Sequence, residues 1–307
     1  MSEYVFLFPG QASQFVGMGK DLFDQFPNAK LRFAEASEAV GADLAKICFE
    51  GPEEELKQTK ITQPAIFTHS VIVSEILLSR ITPIAAAGHS LGEYSALVAA
   101  GALEFATAIR LVALRGRLMQ ADCEAHPSTM AAIVGLQPDQ ITSVCDEAKS
   151  MGIVVPANFN SPGQTVISGE IEAVRKAMEL SKAAGARIVK ELQVSGAFHS
   201  PCMSNAASGM QKPLDQAKIS IPICDVYTNV TGKATRDPEE IRHCLKAQVT
   251  SPVLWADTIA NMRNAGLAKF LEVGPKNVLQ GILRSIDKSI EVKLMGTAEE
   301  LNTANGG

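Results

Sequence analysis

Gly88-His89-Ser90-Leu91-Gly92 is the stretch of this sequence that decides the fold. The apolar residues 84–87 come directly before it, and a helical pattern follows it. A strand, a serine and a helix in that order are typical of a nucleophile elbow, a sharp turn that lifts a serine hydroxyl out of a sheet. The glycines tolerate the strained backbone, and the free N–H groups of the helix start beside the hydroxyl, where an oxyanion would form. The stretch therefore predicts an activated serine at Ser90.

Composition limits the class of protein. The chain has 307 residues, 46% of them apolar, so it can bury a full core and should hold one large domain plus a smaller one. Its net charge of −5 argues against a nucleic-acid binder, which would carry a basic excess. Six scattered cysteines without a C-x-x-C pair indicate reduced thiols, and neither a disulfide framework nor a zinc site.

The N-terminus and the apolar runs bear on location. Met1-Ser2-Glu3-Tyr4 lacks the basic region of a signal peptide, and only four apolar residues separate it from Pro9. No apolar run approaches the length that spans a membrane. From these features we expect a soluble cytoplasmic protein.

The order of predicted elements indicates an α/β fold with an insertion. Tyr4 to Phe8 and residues 84–87 are predicted to be buried strands with helical patterns around them. The pattern then changes to strand, helix, strand, strand, helix, strand within about seventy residues, which is the ferredoxin-like arrangement. We therefore expect a parallel-sheet catalytic core, 1–125 and 197–307, interrupted by a ferredoxin-like α+β subdomain, 126–196.

Two local predictions concern helices and the tail. Residues 28–50 are predicted to be one helical segment that ends at Gly51-Pro52. The tail after Glu300 is polar and ends in glycines, so we expect it to fray.

Arg115 occupies an unusual place on a helix predicted from Glu104 to about Gln120. It lies between Leu111 and Leu118 on the apolar stripe of that helix. An arginine that points into a core has to meet an anion, which is either a protein carboxylate or a ligand. The sequence pattern leaves both possibilities open.

One of the five histidines is the best candidate for the base that a nucleophilic serine needs. His199 lies in a Gly-Ala-Phe-His-Ser-Pro loop that follows a strand, which is typical of a site residue. His89 points away from Ser90 within the elbow and should support the loop. His69 is predicted to be a structural residue, and His126 and His243 are predicted to lie on the surface.

A carboxylate partner for His199 is missing. In a Ser-His-Asp hydrolase of this kind, the acid lies between serine and histidine in chain order. That interval offers Asp122, Asp139 and Asp146, along with glutamates such as Glu124 and Glu147. None of them follows a strand as a triad acid does. A group other than a carboxylate should hold the imidazole, which weakens the interpretation as a plain esterase.

From residue 4 to about 295, the chain resembles the malonyl-CoA:acyl carrier protein transacylases of fatty-acid synthesis. The resemblance is carried by these motifs in combination: Phe8-Pro9-Gly10-Gln11-Ala12-Ser13-Gln14, Gln63-Pro64-Ala65, Gly88-His89-Ser90-Leu91-Gly92-Glu93-Tyr94, Arg115-Gly116-Arg117-Leu118-Met119-Gln120, Asn158-Phe159-Asn160-Ser161-Pro162-Gly163-Gln164, Phe198-His199-Ser200, Tyr227-Thr228-Asn229-Val230-Thr231-Gly232 and Glu272-Val273-Gly274-Pro275. It implies an α/β-hydrolase-like core with a ferredoxin-like insert, which agrees with the predicted order of elements.

The resemblance also implies a mechanism. Ser90 would attack the thioester of malonyl-CoA while His199 takes its proton, and the backbone N–H groups of Gln11 and Leu91 would form the oxyanion hole. The backbone carbonyl of Gln248 would orient His199 in place of a carboxylate. The phosphopantetheine thiol of acyl carrier protein would then attack the malonyl-serine, which gives ping-pong transfer with no metal and no bound cofactor.

Substrate recognition is implied in the same way. Arg115 would bind the free carboxylate of malonyl through two parallel hydrogen bonds, and an acetyl group would leave it desolvated and unpaired. Phe198 would disfavour an α-methyl branch by about 1–3 kcal/mol, a difference small enough to permit leakage toward methylmalonyl. Other substrate contacts are implied for Gln63, Met119, Asn160 and Asn229.

The resemblance suggests phosphate contacts and a carrier surface as well. Arg187 and Lys190 are the candidates for the phosphates of coenzyme A. Because acyl carrier protein is strongly acidic, a local basic face is expected despite the net charge, with these candidates: Lys182, Arg187, Lys190, Lys276 and Arg284. The sequence departs from the family pattern in three places. Ala12 and Lys276 stand where glycine is common, and we expect the alanine to be neutral. The basic pair of the insert's last strand is represented by Arg187, then Ile188, with Lys190 further on.

Two other functions stay open beside acyl transfer. Simple hydrolysis of a thioester or ester would need Arg115 to serve structure instead of substrate. A catalytically silent module that docks a carrier protein is the alternative without enzymatic activity, and intact Ser90 and His199 argue against it. We favour acyl transfer by a monomer that uses malonyl-CoA and acyl carrier protein and binds neither nucleic acid nor membrane.

Overall fold

The computed structural model describes residues 4–303, in which ten strands form two sheets. The strands are β1 (Val5–Phe8), β2 (Ala85–Gly88), β3 (Ser128–Val134), β4 (Val154–Ser161), β5 (Gln164–Glu170), β6 (Ile188–Glu191), β7 (Asp225–Tyr227), β8 (Ala234–Thr235), β9 (Lys269–Val273) and β10 (Glu291–Met295). The main sheet has the order β10-β9-β1-β2-β7-β8 and is parallel except for its last pair. The second sheet, β4-β5-β3-β6, is antiparallel.

Fourteen helices accompany the strands within residues 4–303. They are α1 (Lys20–Gln25), α2 (Pro27–Val40), α3 (Leu44–Glu50), α4 (Glu53–Leu56), α5 (Thr59–Leu78), α6 (Gly92–Ala99), α7 (Phe105–Ala125), α8 (Pro138–Ala148), α9 (Ile171–Ala183), α10 (Ser204–Gln216), α11 (Pro238–Gln248), α12 (Trp255–Asn264), α13 (Val278–Ile286) and α14 (Ala298–Thr303).

The main sheet is covered on both faces, as the alternation along β1 shows. Phe6 and Phe8 belong to the hydrophobic cluster that contains α5 and α7, whereas Val5 and Leu7 belong to the cluster that contains α12 and α13. Successive strand residues point to opposite faces, so a strand that is apolar at every position must be buried on both. All four residues are fully buried, in agreement with this rule.

The second sheet is the expected ferredoxin-like arrangement. The chain runs β3, α8, β4, β5, α9, β6, and apolar residues of α8 and α9 pack on the sheet in one cluster. The strand order places the first and third of these strands at the centre, as this fold requires. The predicted fold class is therefore confirmed, with an antiparallel edge strand, β8, added to the parallel sheet. The domain boundaries 1–125, 126–196 and 197–307 stay a prediction.

The two sheets are joined through the backbone of β4. The N–H of Phe159 donates to the carbonyl of Val253 at 2.9 Å, and the N–H of Val253 donates to the carbonyl of Ala157 at 2.8 Å. Val253 lies just before α12 of the core. This pairing fixes the second sheet over the carboxyl ends of β1 and β2, and a cleft forms between the two sheets.

Some local predictions were wrong. Residues 28–50 form two helices because Gly41, with φ +75°, ends α2 in the left-handed region that glycine adopts easily. Helix α14 continues the chain as far as Thr303, past the point where we expected fraying, because its Leu301 is buried. The rest of the expected frayed tail, 304–307, lies outside the described residues.

Helix α5 also contradicts a prediction. By length and composition it could cross a membrane, although the sequence was judged to contain no such segment. Its apolar window is 83% buried inside the protein, where α5 packs against α7 and the main sheet. Its apolar composition is therefore explained by the core.

Candidate active site

The serine of the elbow sits on a strained turn between β2 and α6. Ser90 has φ +52°, in the left-handed region. Two glycines make the turn possible: a Cβ on Gly88 would lie 1.9 Å from the backbone of Gly92, and a Cβ on Gly92 would lie 2.2 Å from the carbonyl oxygen of Phe8. Any side chain at either position would collide with backbone, so β1, β2 and α6 meet this closely only through glycine.

Asn229 stabilises this turn through two hydrogen bonds. Its Oδ1 accepts a hydrogen bond from the N–H of Ser90 at 2.6 Å, and its Nδ2 donates to the carbonyl of Gly88 at 2.7 Å. The side chain is buried and does not line the cavity at the site. The structure therefore places Asn229 as a support of the elbow, which differs from the substrate contact that the motif implied. The adjacency of β2 and β7 in the sheet brings the two segments together.

Ser90 and His199 form a hydrogen-bonded pair. The Oγ of Ser90 lies 2.8 Å from Nε2 of His199, and Nδ1 of His199 lies 2.9 Å from the backbone carbonyl of Gln248. A carbonyl can only accept, so Nδ1 carries the hydrogen and Nε2 offers its lone pair to the serine hydroxyl. Burial, aided by the positive charge of Arg115, lowers the pKa of His199 to about 3. The imidazole is therefore neutral, as a general base must be.

None of the three aspartates between Ser90 and His199 forms a hydrogen bond with the imidazole. Asp122 accepts from Nδ2 of Asn205 at 3.0 Å and from the N–H of Ala206 at 2.8 Å, at the start of α10. The other two candidates, Asp139 and Asp146, lie exposed on α8. The carbonyl of Gln248 thus occupies the position that a triad acid would take.

Arg115 is fully buried and reaches the nucleophile. Its Nη1 donates to Oε1 of Gln63 at 2.6 Å, and its Nη2 donates to Oε1 of Gln248 at 3.0 Å and to Oγ of Ser90 at 3.1 Å. Within residues 4–303, no carboxylate lies within ion-pair distance of the guanidinium, and its Nε has no partner. Burial lowers the pKa of Arg115. A buried cation held only by neutral groups can accept an anionic ligand.

Two backbone N–H groups are free beside the serine. Gln11 follows β1 and Leu91 precedes α6, and both line the cavity. Neither N–H donates a hydrogen bond to another group in the described part of the chain. Free donors of this kind next to a nucleophile can stabilise an oxyanion.

A cavity of about 340 Å³ opens above Ser90 between the two sheets. Its polar wall includes Gln11, Gln63, Ser90, Arg115 and His199. Most of the remaining wall is apolar and is contributed by both sheets and α13. Four of the predicted contacts line it: Gln63, Met119, Asn160 and Phe198. A largely apolar cavity lined by a serine, a neutral histidine and an arginine suits a substrate with an anionic group.

His89 connects the core with the second sheet. Its Nε2 lies 3.0 Å from Oδ1 of Asn160 on β4, and its ring is tilted over Trp255 with 5.5 Å between centroids. Burial lowers its pKa, so the ring is neutral. This placement fits the predicted supporting role and explains why Asn160 lines the cavity with its oxygen already occupied.

The predicted basic residues lie outside the site. Arg187 and Lys190 are exposed at β6 and do not line the cavity. The Nζ of Lys276 donates to the carbonyl of Gln14 at 2.8 Å, so this lysine contacts the loop after β1. Glu93 belongs to the motif around Ser90, but the motif implies no role for it. Its carboxylate is buried against Gln248. The feature of the sequence that could have identified Glu93 is its position three residues after Ser90, in the first turn of a buried helix.

Comparisons with known proteins extend these observations. Residues 5–303 match the family model of the acyl transferase domain. The chain is 41% identical over 306 residues to the malonyl CoA-acyl carrier protein transacylase of Bacillus subtilis, with 99% of this chain and 96% of the relative covered. It is 42% identical over 288 residues to the protein of the same name from Escherichia coli, with 93% of each covered.

Solved structures show the same similarity. An acyl carrier protein S-malonyltransferase from Vibrio cholerae superposes with a TM-score of 0.94 at 42% identity, with 99% of this chain and 100% of that chain covered. A malonyl-transacylase in complex with its type II PKS acyl-carrier protein superposes with a TM-score of 0.93 at 42% identity, with 99% of each chain covered.

Proposed function

This chain belongs to the malonyl-CoA:acyl carrier protein transacylase family of acyltransferases, and we propose that it moves malonyl between two thiols through a malonyl-Ser90 intermediate. The family resemblance found in the sequence motifs is thereby confirmed, and the chain is an acyltransferase. Relatives named for malonyl transfer to acyl carrier protein support the same overall reaction here. The ping-pong route is our proposal from the geometry.

In the first half-reaction, Ser90 Oγ attacks the thioester carbonyl of malonyl-CoA. His199 Nε2, at 2.8 Å, accepts the hydroxyl proton, and the new oxyanion accepts hydrogen bonds from the N–H groups of Gln11 and Leu91. When the tetrahedral intermediate collapses, the C–S bond breaks. The coenzyme A thiolate leaves with the proton from His199, and malonyl stays on Ser90 as an ester.

Arg115 is the observation that carries this proposal. Malonyl has a carboxylate one methylene away from its thioester carbonyl, and the guanidinium lies 3.1 Å from the attacking oxygen. A charge-assisted pair between the two groups would replace the neutral partners of Arg115, Gln63 and Gln248. An acetyl group would bring no such partner. The buried cation therefore selects a dicarboxylic acyl group.

The second half-reaction repeats the chemistry with another thiol. The phosphopantetheine thiol of acyl carrier protein gives its proton to His199 and attacks the ester of Ser90. The ester C–O bond breaks, and the serine recovers its proton from His199. The apolar walls of the cavity, which include Met130 and Val166, disfavour water as the competing acceptor.

We extend the proposal to partners and setting. Coenzyme A enters as a substrate thioester, and the scheme uses no metal and no bound cofactor. Arg187 and Lys190 are kept as candidates for its phosphates because both are exposed cations. The carrier protein is the second substrate, and we propose that the chain works as a monomer in the cytoplasm, where both water-soluble substrates would be available.

Intact-protein mass spectrometry after mixing with malonyl-CoA tests this function. We expect a malonyl increment that maps to Ser90 and is discharged by acyl carrier protein faster than by water. Ser90→Ala should carry no increment. Discharge by water alone would instead indicate a hydrolase, and a folded wild-type protein without any increment would indicate a carrier-docking module.

A further inference from the structure

Glu93 is a buried carboxylate directly beneath the active site. It lies in the first turn of α6, and its side chain is fully buried. Its Oε2 accepts hydrogen bonds from Nε2 of Gln248 at 2.7 Å and from the N–H of Asn229 at 3.1 Å. Its Oε1 is buried and has no hydrogen-bond partner in the described part of the chain.

A single amide group connects this carboxylate with Arg115. The Nε2 of Gln248 donates to Glu93 and, at 3.0 Å, to the carbonyl of Ser90, while its Oε1 accepts from Nη2 of Arg115. A carboxylate can only accept and a guanidinium can only donate, so the orientation of the amide is fixed by its two neighbours. Glu93 and Arg115 therefore interact across one side chain without direct contact.

The other titratable groups near Glu93 carry no charge that could balance Arg115. Burial raises the pKa of Tyr94 on α6 to about 12, and it raises the pKa of Cys244 on α11. On the loops, burial lowers the pKa values of His199 and His89. All four are neutral near pH 7, so among the described residues the charges of this buried region are those of Arg115 and of Glu93 once it is ionised.

We infer that Glu93 is the counter-ion of Arg115 in the empty site and takes up a proton from solvent when the malonyl carboxylate binds Arg115. The inference rests on the proposed function, since malonyl supplies the second anion. Two buried carboxylates beside one guanidinium would leave an uncompensated negative charge where the dielectric constant is low. Protonation of Glu93 removes that charge.

The geometry leaves a place for the proton. Oε1 accepts no hydrogen bond, so a proton can bind there while Oε2 keeps both of its donors, Gln248 and Asn229. The position of the Gln248 amide, and through it the contacts of Arg115, is then preserved. Burial already raises the pKa of Glu93 to about 7, so the uptake is accessible near neutral pH.

Proton uptake makes malonyl affinity depend on pH. For each proton taken up, the dissociation constant rises by up to tenfold per pH unit, between the pKa of Glu93 in the empty site and its higher value in the complex. Because the empty-site pKa is about 7, malonyl-CoA should bind more weakly as the pH rises above about 7. Acetyl-CoA brings no carboxylate and should show no such dependence.

Titration calorimetry at pH 8 in buffers with different ionisation enthalpies measures the uptake directly. Ser90→Ala, which prevents acylation, should take up about half a proton or more on binding malonyl-CoA. In Ser90→Ala/Glu93→Gln the uptake should vanish, and malonyl-CoA affinity should be independent of pH from 7 to 9. The glutamine keeps an acceptor for Gln248 and Asn229, so the site should retain its shape.

The outcomes separate this inference from the function on which it rests. Malonyl-CoA that loads the wild-type enzyme while Ser90→Ala takes up no proton between pH 7 and 9 would overturn the role of Glu93 alone. Equal proton uptake in Ser90→Ala and in Ser90→Ala/Glu93→Gln would also overturn the role of Glu93. Wild-type protein that is never malonylated would overturn the function and the inference together.

Discussion

Arg115 joins two properties at the scale of a single residue: it is fully buried, and its guanidinium lies 3.1 Å from the nucleophilic oxygen. The sequence showed an arginine on an apolar stripe and left its anion open. The structure supplies neutral partners, Gln63 and Gln248, in direct contact, and places the nearest anion, Glu93, one amide further away. A guanidinium arranged in this way can exchange weak partners for a substrate carboxylate at little structural cost.

Arg115→Met should separate malonyl from acetyl transfer. The variant removes one partner of a buried charge pair, a loss of about 3–5 kcal/mol, so kcat/KM for malonyl-CoA should fall by about 10²- to 10⁴-fold. Acetyl transfer makes no use of the carboxylate contact and should change by less than about tenfold. Steady-state kinetics with both thioesters gives the ratio.

Arg117→Met is the matched control for this variant, because Arg117 lies exposed on the same helix. It should change neither activity by more than about twofold, as expected of a surface substitution. Equal losses of malonyl and acetyl transfer in Arg115→Met would show that the arginine supports the fold and does not select the substrate.

At the scale of elements, the loops after β1 and β9 lie side by side because these strands are neighbours in the sheet. Each loop holds a left-handed residue other than glycine: Ala12 has φ +86° and Lys276 has φ +61°. The two loops are joined where Nζ of Lys276 donates to the carbonyl of Gln14. The expectation that alanine is neutral at position 12 does not fit this backbone, since a Cβ strains the left-handed conformation.

Ala12→Gly should stabilise the protein. Relief of strain at positive φ outweighs the extra freedom that glycine gives the unfolded chain, and we expect a gain of about 0.5–1 kcal/mol. For a chain of this size, that gain corresponds to a rise in Tm of about 1–2 °C. Thermal unfolding followed by circular dichroism measures it.

The control variant should change the stability of the protein in the opposite direction. Ala183→Gly exchanges the same residues at an exposed position in the last turn of α9, where the backbone is helical, and should lower stability by roughly 0.5–1 kcal/mol. A loss of stability in both variants would mean that the left-handed strain at Ala12 is absent in solution.

At the scale of the whole molecule, the active site belongs to neither sheet alone. Ser90 comes from the core, and part of the cavity wall comes from the second sheet. Several contacts cross between them, including the backbone pair of Phe159 with Val253, the His89–Asn160 hydrogen bond, and a 3.0 Å hydrogen bond between the hydroxyl groups of Thr59 and Ser195. These contacts couple the two sheets mechanically.

The two sheets should therefore unfold together. Cys48 is buried in the core and Cys145 lies on α8, in the cluster that packs on the second sheet, so each thiol reports on one part. Pulsed thiol labelling across a urea titration, with the labelled peptides identified by mass spectrometry, should give the same midpoint for both. Labelling of Cys145 at clearly lower urea than Cys48 would show that the insert opens independently.

The sequence by itself determined the elements whose signal is local. The elbow, the ferredoxin-like run of elements and the acyl transferase motifs could be read directly, because periodicity, glycine spacing and motif order reside in neighbouring residues. Ser90 and His199 were recognised for the same reason. Short edge elements were missed: β8 has two residues, and β10 is only partly buried, so neither gives a continuous apolar run.

Only the tertiary structure decided what the polar side chains do. Asn229 supports the elbow because β7 lies beside β2, and Glu93 acts on Arg115 because α11 brings Gln248 between them. These contacts join residues more than a hundred positions apart, and a hydrogen bond forms only when donor and acceptor lie within a narrow range of distance. Sequence patterns encode burial and local geometry, whereas the pairing of distant donors and acceptors exists only once the chain has folded.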